Sequence, residues 1–197
     1  MCHTSARNPD FYRLLLRIDQ DFAEQTRSQH CRRCRGVLHS ARYRRKPRGL
    51  TRQARAECGD FRYSFCCAEC RRRTTPFSVR FLGRRVYVAA IMVVVSATRA
   101  SAGTAAAMHQ LGELGVPRAT IAQWRHLWHW WQTDFVSTPF WTLGRAAFVP
   151  PVETVQAPAS LLERFAAALQ PEPLLCLLRW LSPLTSGSAM STVHEGR

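Results

Sequence analysis

Two cysteine pairs constrain the fold of this chain more than any other feature. Cys31 and Cys34 form one Cys-x2-Cys turn, and Cys67 and Cys70 form a second, with 32 residues between the pairs. Each turn can offer two sulfur atoms to one ion, and two turns complete the tetrahedral set that zinc prefers. The sequence therefore predicts one structural Zn²⁺ site made by these four cysteines.

Other residues near the pairs leave alternatives open. Cys66 could pair with Cys70 in a looser Cys-x3-Cys turn, and Cys58 is also nearby. The interval between the pairs exceeds the roughly 15 to 20 residues of compact sites, so we expect a long basic loop, Arg42 to Arg55, to fill it. Gly36 follows the first pair and is expected to supply a left-handed backbone conformation there.

Alternating residues flank the second pair. Phe61, Tyr63 and Phe65 would share one face of a strand leading into it, and a second strand, Thr74 to Phe81, would leave it. A strand, a cysteine turn and a second strand are typical of a zinc ribbon, so we expect a ribbon of short antiparallel strands.

An amphipathic helix is predicted before the first pair, from Pro9 to Arg27. Asn8 is a suitable N-cap and Pro9 suits the first helical position. Apolar residues then recur at intervals of three and four, which predicts one buried stripe. The stripe comprises Phe11, Leu14, Leu15, Ile18 and Phe22.

The positive charge is concentrated in one part of the chain. Residues Arg27 to Arg85 contain 18 basic and three acidic side chains, whereas the rest of the chain sums to zero. So dense a block favours a polyanionic partner, and phosphate backbones neutralise such charge while releasing counterions. Eight cysteines, six of them in or beside this block, would lie as thiols in a reducing compartment and favour metal over disulfides.

A helix-turn-helix is predicted after the basic block. Val86 to Ala97 would be a supporting helix, Thr104 to Leu114 a second, and Arg118 to about Thr133 a third after a Gly-Val-Pro turn. On the third helix an apolar face (Ile121, Trp124, Trp128, Trp131 and Phe135) should pack inward. Polar residues would then point outward from its first turns, where a recognition helix contacts DNA.

These patterns predict a small α+β protein. It would comprise an N-terminal helix (1–28), a basic zinc ribbon (29–85), a trihelical helix-turn-helix (86–136), a proline-rich connector with two short C-terminal helices (137–182) and a disordered tail (183–197). Residues expected to contact nucleic acid come from the ribbon and the last helix. They are Arg32, Arg33, Arg44, Arg45, Lys46, Arg71, Arg72, Arg73, Arg118, Thr120, Gln123 and Arg125.

Three stretches together carry a resemblance to a known group of proteins. They are CRRC, FCCAECRRRTTPFSVRFLGRRVY and LGVPRATIAQWRHLWHWW. Over Gln29 to Phe135 the chain resembles the zinc-ribbon and helix-turn-helix region of bacterial insertion-sequence transposases and their small accessory proteins. The resemblance implies recognition of transposon-end DNA by the last helix, with the paired cysteines as zinc ligands.

The resemblance stops before a catalytic domain. Such transposases continue into an RNase-H-like domain with three magnesium-binding carboxylates, and roughly 60 residues cannot build one. Few acids follow the helix-turn-helix, namely Asp134, Glu153, Glu163, Glu172 and Glu195. No phosphate-binding loop, dinucleotide motif or nucleophile elbow is present either. We therefore predict an accessory or regulatory protein rather than an enzyme.

The expected partner is double-stranded DNA, together with a separate transposase protein that the apolar C-terminal helices could dock. Alternatives are an RNA- or ribosome-binding zinc ribbon and a pure interaction module. The first ten residues lack the apolar core of a signal peptide, and the longest apolar run is about twelve residues, short of the roughly 20 that span a bilayer. The sequence thus predicts a cytoplasmic, nucleoid-associated protein without a membrane partner.

Overall fold

The computed structural model describes residues 6–82, 89–94, 131–146, 159–167 and 172–185. It has an N-terminal helix, short antiparallel strands and several further helices, which confirms the predicted small α+β class. The described residues divide into two compact units. One contains 8–48, 52–82, residue 89 and 178–185; the other contains 6–7, 49–51, 90–94, 131–146, 159–167 and 172–177.

The N-terminal helix α1 spans Pro9–Ser28. Asn8 caps it, since its side-chain oxygen accepts a hydrogen bond from the Asp10 N–H at 2.9 Å. The predicted helix is confirmed, but its buried face differs in detail. Leu14 is 40% exposed, whereas Tyr12 and Asp19 are fully buried.

Five short strands and one helix follow α1 in the same unit. They are β1 Leu38–Ser40, β2 Tyr43–Arg44, α2 Arg52–Cys58, β3 Phe61–Arg62, β4 Phe65–Cys67 and β5 Arg73–Thr74. One antiparallel sheet has the order β1-β4-β5, and β2 pairs with β3 in a separate antiparallel ladder.

The strand prediction for Phe61 to Phe65 is wrong, because two strands in different sheets replace it. Residues before Tyr63 pair with β2, and Phe65 begins the strand that pairs with β1. Between them the Ser64 carbonyl accepts a hydrogen bond from the Ala41 N–H at 2.8 Å. The chain thus changes its partner strand from β2 to β1 within three residues. The position of this change depends on pairing with strands that are distant in the sequence.

The strand prediction for Thr74 to Phe81 is also wrong beyond Thr74. The backbone donors that a ladder would use are taken by side chains instead: Ser78 N–H donates to Thr185 Oγ1 at 2.8 Å and Val79 N–H to Asp19 Oδ1 at 2.7 Å. A segment whose N–H groups bond to side chains in this way does not extend a sheet.

Asp19 of α1 organises this segment through a buried network. Its carboxylate accepts from Ser78 Oγ at 2.6 Å and from Arg80 Nε at 2.8 Å, and both charged side chains are fully buried. Arg80 also donates to the backbone oxygens of Cys58 and Phe61. One buried ion pair therefore ties α1 to the end of α2, to β3 and to the segment that follows β5.

The predicted loop from Arg42 to Arg55 is wrong in part, since it contains β2 and the start of α2. On α2, Ala54 and Cys58 are buried. Glu57 accepts from Arg13 Nε of α1 at 2.9 Å. The helix forms because α1 offers it a surface to pack on.

Most of the predicted helix-turn-helix lies outside the described residues, including 104–114 and 118–130. Within the supporting helix, residues 89–94 are helical and buried. Near the end of the last predicted helix, the described residues Trp131–Phe135 form a π-helical turn. Trp131 and Phe135 are fully buried with ring centroids 4.8 Å apart, as their assignment to the apolar face predicts.

The proline-rich connector is predicted to be mostly irregular, and this prediction is wrong over Pro139–Ala146, which form helix α3. Thr138 Oγ1 caps this helix by accepting a hydrogen bond from the Trp141 N–H at 3.1 Å. The predicted tail does not begin at residue 183. Ser182–Thr185 form a 3-10 turn whose Leu184 and Thr185 are buried.

The two predicted short helices are present as α4 Ala159–Ala167 and α5 Pro173–Leu181. Among the described residues no helix is long and apolar enough to cross a membrane.

Candidate metal centre and the arginines around it

Four cysteine sulfurs meet where the two Cys-x2-Cys turns face each other. The Sγ atoms of Cys31, Cys34, Cys67 and Cys70 all lie within 4.8 Å of one another. Cys31 and Cys70 are 3.6 Å apart, and Cys34 and Cys67 are 3.4 Å apart. Cys31 and Cys67 are buried, whereas Cys34 is exposed, so the cluster lies at the edge of the unit.

These distances fit a tetrahedral zinc site. Zinc–sulfur bonds of about 2.3 Å give a regular tetrahedron with S···S edges of about 3.8 Å. A disulfide would need about 2.0 Å between two sulfurs, and the described cysteines are all free thiols. The cluster is compatible with one zinc ion that would be held by four thiolates.

The two turns have the same backbone hydrogen bonds. In the first, Cys31 N–H donates to the Gly36 oxygen at 3.0 Å and Arg35 N–H to the Cys31 oxygen at 2.8 Å. In the second, Cys67 N–H donates to Arg72 at 3.0 Å and Arg71 N–H to Cys67 at 3.2 Å. Two six-residue turns of one geometry thus approach each other through their sulfurs.

The left-handed residue of each turn is an arginine. Arg35 has φ 61° and Arg71 has φ 58°, at equivalent positions one residue after the second cysteine. The expectation that Gly36 supplies this conformation is therefore wrong, because the left-handed residue is Arg35, one position earlier. A side chain in this conformation costs on the order of 1 kcal/mol, which the paired hydrogen bonds offset.

Gly36 is needed for a different reason. A Cβ atom at this position would lie 2.7 Å from Glu69 Cγ and 3.0 Å from Cys67 Sγ. The first turn therefore comes close to the second cysteine pair only because residue 36 has no side chain. The adjacent Val37 carbonyl accepts from the Ala68 N–H at 2.9 Å and joins the two turns directly.

The electrostatics of the cluster differ between its sulfurs. The pKa of Cys31 is lowered to about 6, first by the backbone N–H of Cys34 and then by that of Arg33. For Cys34, the Gly36 N–H lowers the pKa, whereas the neighbouring Cys67 thiol, burial and the remaining thiols raise it. The raising effects are larger together, so the pKa of Cys34 is raised to about 11. A bound divalent ion would favour the thiolate form of its cysteine ligands.

The alternative cysteines lie elsewhere. Cys66 pairs with His39 and Arg73 across the β1-β4-β5 sheet, so its side chain is on the opposite face from Cys67. Its Sγ lies 3.5 Å from the Arg71 carbonyl oxygen. Cys58 is fully buried, and burial raises the pKa of its thiol to about 11.

The predicted basic contact residues of the ribbon are almost all at the surface. Arg45 is half-buried, with its guanidinium 5.6 Å from the Tyr43 ring centroid. The other predicted contact residues of the ribbon are exposed, namely Arg32, Arg33, Arg44, Lys46, Arg71, Arg72 and Arg73. The predicted contacts on the last helix, Arg118, Thr120, Gln123 and Arg125, lie outside the described residues.

Two arginines of the basic block are structural. Arg80 is fully buried against Asp19, and Arg62 is 1% exposed and donates to the Pro76 oxygen at 2.7 Å. Burial lowers the pKa of Arg62 to about 10. The sequence does contain a signal for the buried Arg80. Asp19 lies on the apolar stripe of α1, four residues from both Leu15 and Ala23, and a buried carboxylate needs a cation as its partner. No local signal marks Arg62.

Comparison of the chain with family models, curated proteins and solved structures finds no match.

Proposed function

We propose that Cys31, Cys34, Cys67 and Cys70 bind one structural zinc ion and that the strands around them form a zinc ribbon. The observation that supports this is the pair of equivalent turns whose four sulfurs span no more than 4.8 Å. Four thiolates complete a tetrahedral site and leave no position for a water molecule, so the ion stabilises the fold and performs no catalysis.

The zinc ribbon would serve as a phosphate-binding surface. Arginines occupy both positions between Cys31 and Cys34, and further arginines directly follow Cys34 and Cys70. All of these arginines are exposed. Glu69 is the single acid within the two turns. Exposed guanidinium groups at this density repel one another unless an anion neutralises them, and a DNA backbone presents phosphates at regular spacing.

In this proposal, sequence recognition belongs to the helix that the sequence predicts from Arg118. Arg118 and Gln123 carry the groups that pair with guanine and adenine edges in a major groove. In this proposal the protein is a sequence-specific DNA-binding accessory or regulator of a mobile element, consistent with its resemblance to insertion-sequence proteins. The ribbon supplies affinity, and the helix supplies discrimination.

Competition binding against cognate and scrambled duplexes at one fixed salt concentration tests this division. Arg118→Ala or Gln123→Ala should reduce the preference for the cognate site by about 1–3 kcal/mol and leave non-specific binding almost unchanged. Arg72→Ala, the matched ribbon variant, should weaken all duplexes about equally. Loss of sequence preference in Arg72→Ala alone would reverse the assignment, and absence of duplex binding by the zinc-loaded protein would refute the function.

A further inference from the structure

From Phe61 to Ser64, the buried residues are polar and the partly exposed residues are aromatic, the reverse of what hydrophobicity favours. Arg62 and Ser64 are each only 1% exposed, whereas the rings of Phe61 and Tyr63 remain partly exposed. Burying an arginine while leaving two aromatic rings at the surface costs stability. Such local departures from hydrophobic patterning concentrate at functional sites.

The two rings form one surface feature. Their centroids are 5.0 Å apart with an interplanar angle of 86°, an edge-to-face pair. Tyr63 packs against the core that contains Cys31 and Cys67, so the pair lies beside the metal centre. Tyr63 thereby anchors the pair of rings to the packed core.

Basic side chains surround the partly exposed Phe61 ring. The Arg42 guanidinium lies over Phe61, 5.1 Å from its centroid, and Arg42 is exposed. Arg44 is exposed and stands directly opposite Phe61 in the β2–β3 ladder. Arg80 also lies over Phe61, at 5.5 Å, but it is fully buried and held by Asp19. Of the two stacked guanidinium groups only that of Arg42 can move away.

We propose that Phe61 and Tyr63 form a stacking site for unpaired nucleobases, with Arg42 and Arg44 contacting the phosphates of the same strand. A planar base would replace the Arg42 guanidinium on Phe61 and free that arginine for a phosphate. Aromatic rings bordered by arginine are what single-stranded nucleic acid binds, because every base has a π-face and every nucleotide a phosphate. Phosphate contacts to a duplex alone would not require partly exposed rings at this place.

This inference rests on the proposal that the basic module binds nucleic acid, and it adds a second mode of binding. The probe is an oligonucleotide of about 10 nucleotides, within the usual site size, with a central 2-aminopurine whose fluorescence falls when it stacks. DNA and RNA versions distinguish the two sources of unpaired bases. A duplex of the same length reports backbone binding separately.

The decisive variant is Phe61→Leu, and Phe77→Leu is the matched control because Phe77 is also partly exposed but its ring packs edge-to-face with that of Phe22. The wild type and the control should quench 2-aminopurine. Phe61→Leu should lose the quenching and bind the single strand about 5- to 150-fold more weakly. Its duplex affinity should change by less than about twofold, which is well under 1 kcal/mol, because the proposed duplex contacts are made by arginines and not by the Phe61 ring.

A further variant protects the test against loss of folding. Phe61→Trp keeps an aromatic face and should quench as strongly as the wild type with unchanged zinc content and melting temperature. Absence of quenching by the wild type or by Phe61→Trp, or equal losses in Phe61→Leu and Phe77→Leu, would overturn the stacking site. If one of these results is obtained while the protein still binds the duplex, the stacking site is refuted and the proposed function stands. If the protein binds neither the single strand nor the duplex, both proposals are refuted.

Discussion

At the scale of single residues, Gly36 controls how closely the two cysteine turns approach. Gly36→Ala would place a methyl group 3.0 Å from Cys67 Sγ and 2.7 Å from Glu69 Cγ. We expect the free energy of unfolding of the zinc-loaded protein to fall by about 1–3 kcal/mol, as in other overpacked sites. Thermal or urea unfolding with zinc present measures it.

The double variant Gly36→Ala with Glu69→Ala separates the two contacts. It removes the flexible carboxylate chain but leaves the sulfur, so it should recover only part of the lost stability. A single variant as stable as the wild type would show that the turns can move apart at no cost.

Neighbouring Cys66 and Cys67 provide a matched pair for the metal centre. Protein purified without chelator should contain about one equivalent of zinc per chain, and Cys67→Ser and Cys70→Ser should lose it. Cys66→Ser should retain it, because the Cys66 side chain lies on the opposite face of β4. Metal analysis of the three variants measures this. Zinc retained by Cys67→Ser and lost by Cys66→Ser would exchange the two assignments.

At the scale of elements, the Asp19–Arg80 ion pair connects α1 with the segment after β5. Asp19→Asn would leave the Arg80 guanidinium buried without its counter-charge, and it would weaken the bonds from Ser78 and Val79. Breaking one partner of a buried pair costs about 3–5 kcal/mol. Denaturant unfolding should show a loss of that order.

Asp10→Asn is the control on the same helix. Asp10 pairs with Arg13 at 2.8 Å, but 70% of its side chain is exposed, so its removal should cost less than about 1 kcal/mol. Similar effects of the two variants would mean that the buried pair does not hold α1 in place.

At the scale of the whole molecule, net charge overstates what is available to a partner. The formal charge of +15 includes the buried Arg62 and Arg80, which donate hydrogen bonds to the interior. If the exposed arginines neutralise about six phosphates, log affinity for duplex DNA should fall with log salt with a slope near −5.

Two variants calibrate that slope. Arg72→Ala removes one phosphate contact and should reduce the slope by about 1, whereas Gln123→Ala should leave it unchanged. Titrations at several salt concentrations measure both. A slope near zero would mean that the arginines face a partner other than nucleic acid.

Local interactions explain which features could be predicted from the sequence. The α1 helix follows from Asn8, Pro9 and an apolar repeat within 20 residues. The cysteine cluster follows from two short spacings, because each turn brings its own two sulfurs together. Helix α3 was missed although its signal was also local, since Pro139 at a first helical position starts a helix rather than ending one.

Long-range partners decided the rest. Whether Cys66 or Cys67 joins the cluster depends on the register of β4 against β1, and a shift of one residue would exchange them. The sequence alone determined the cap, the periodicity and the spacing of the thiols, each of which acts over a few residues. Only the tertiary structure decided that Arg62 is buried and Phe61 is partly exposed, because burial depends on contacts between segments that are far apart in the chain.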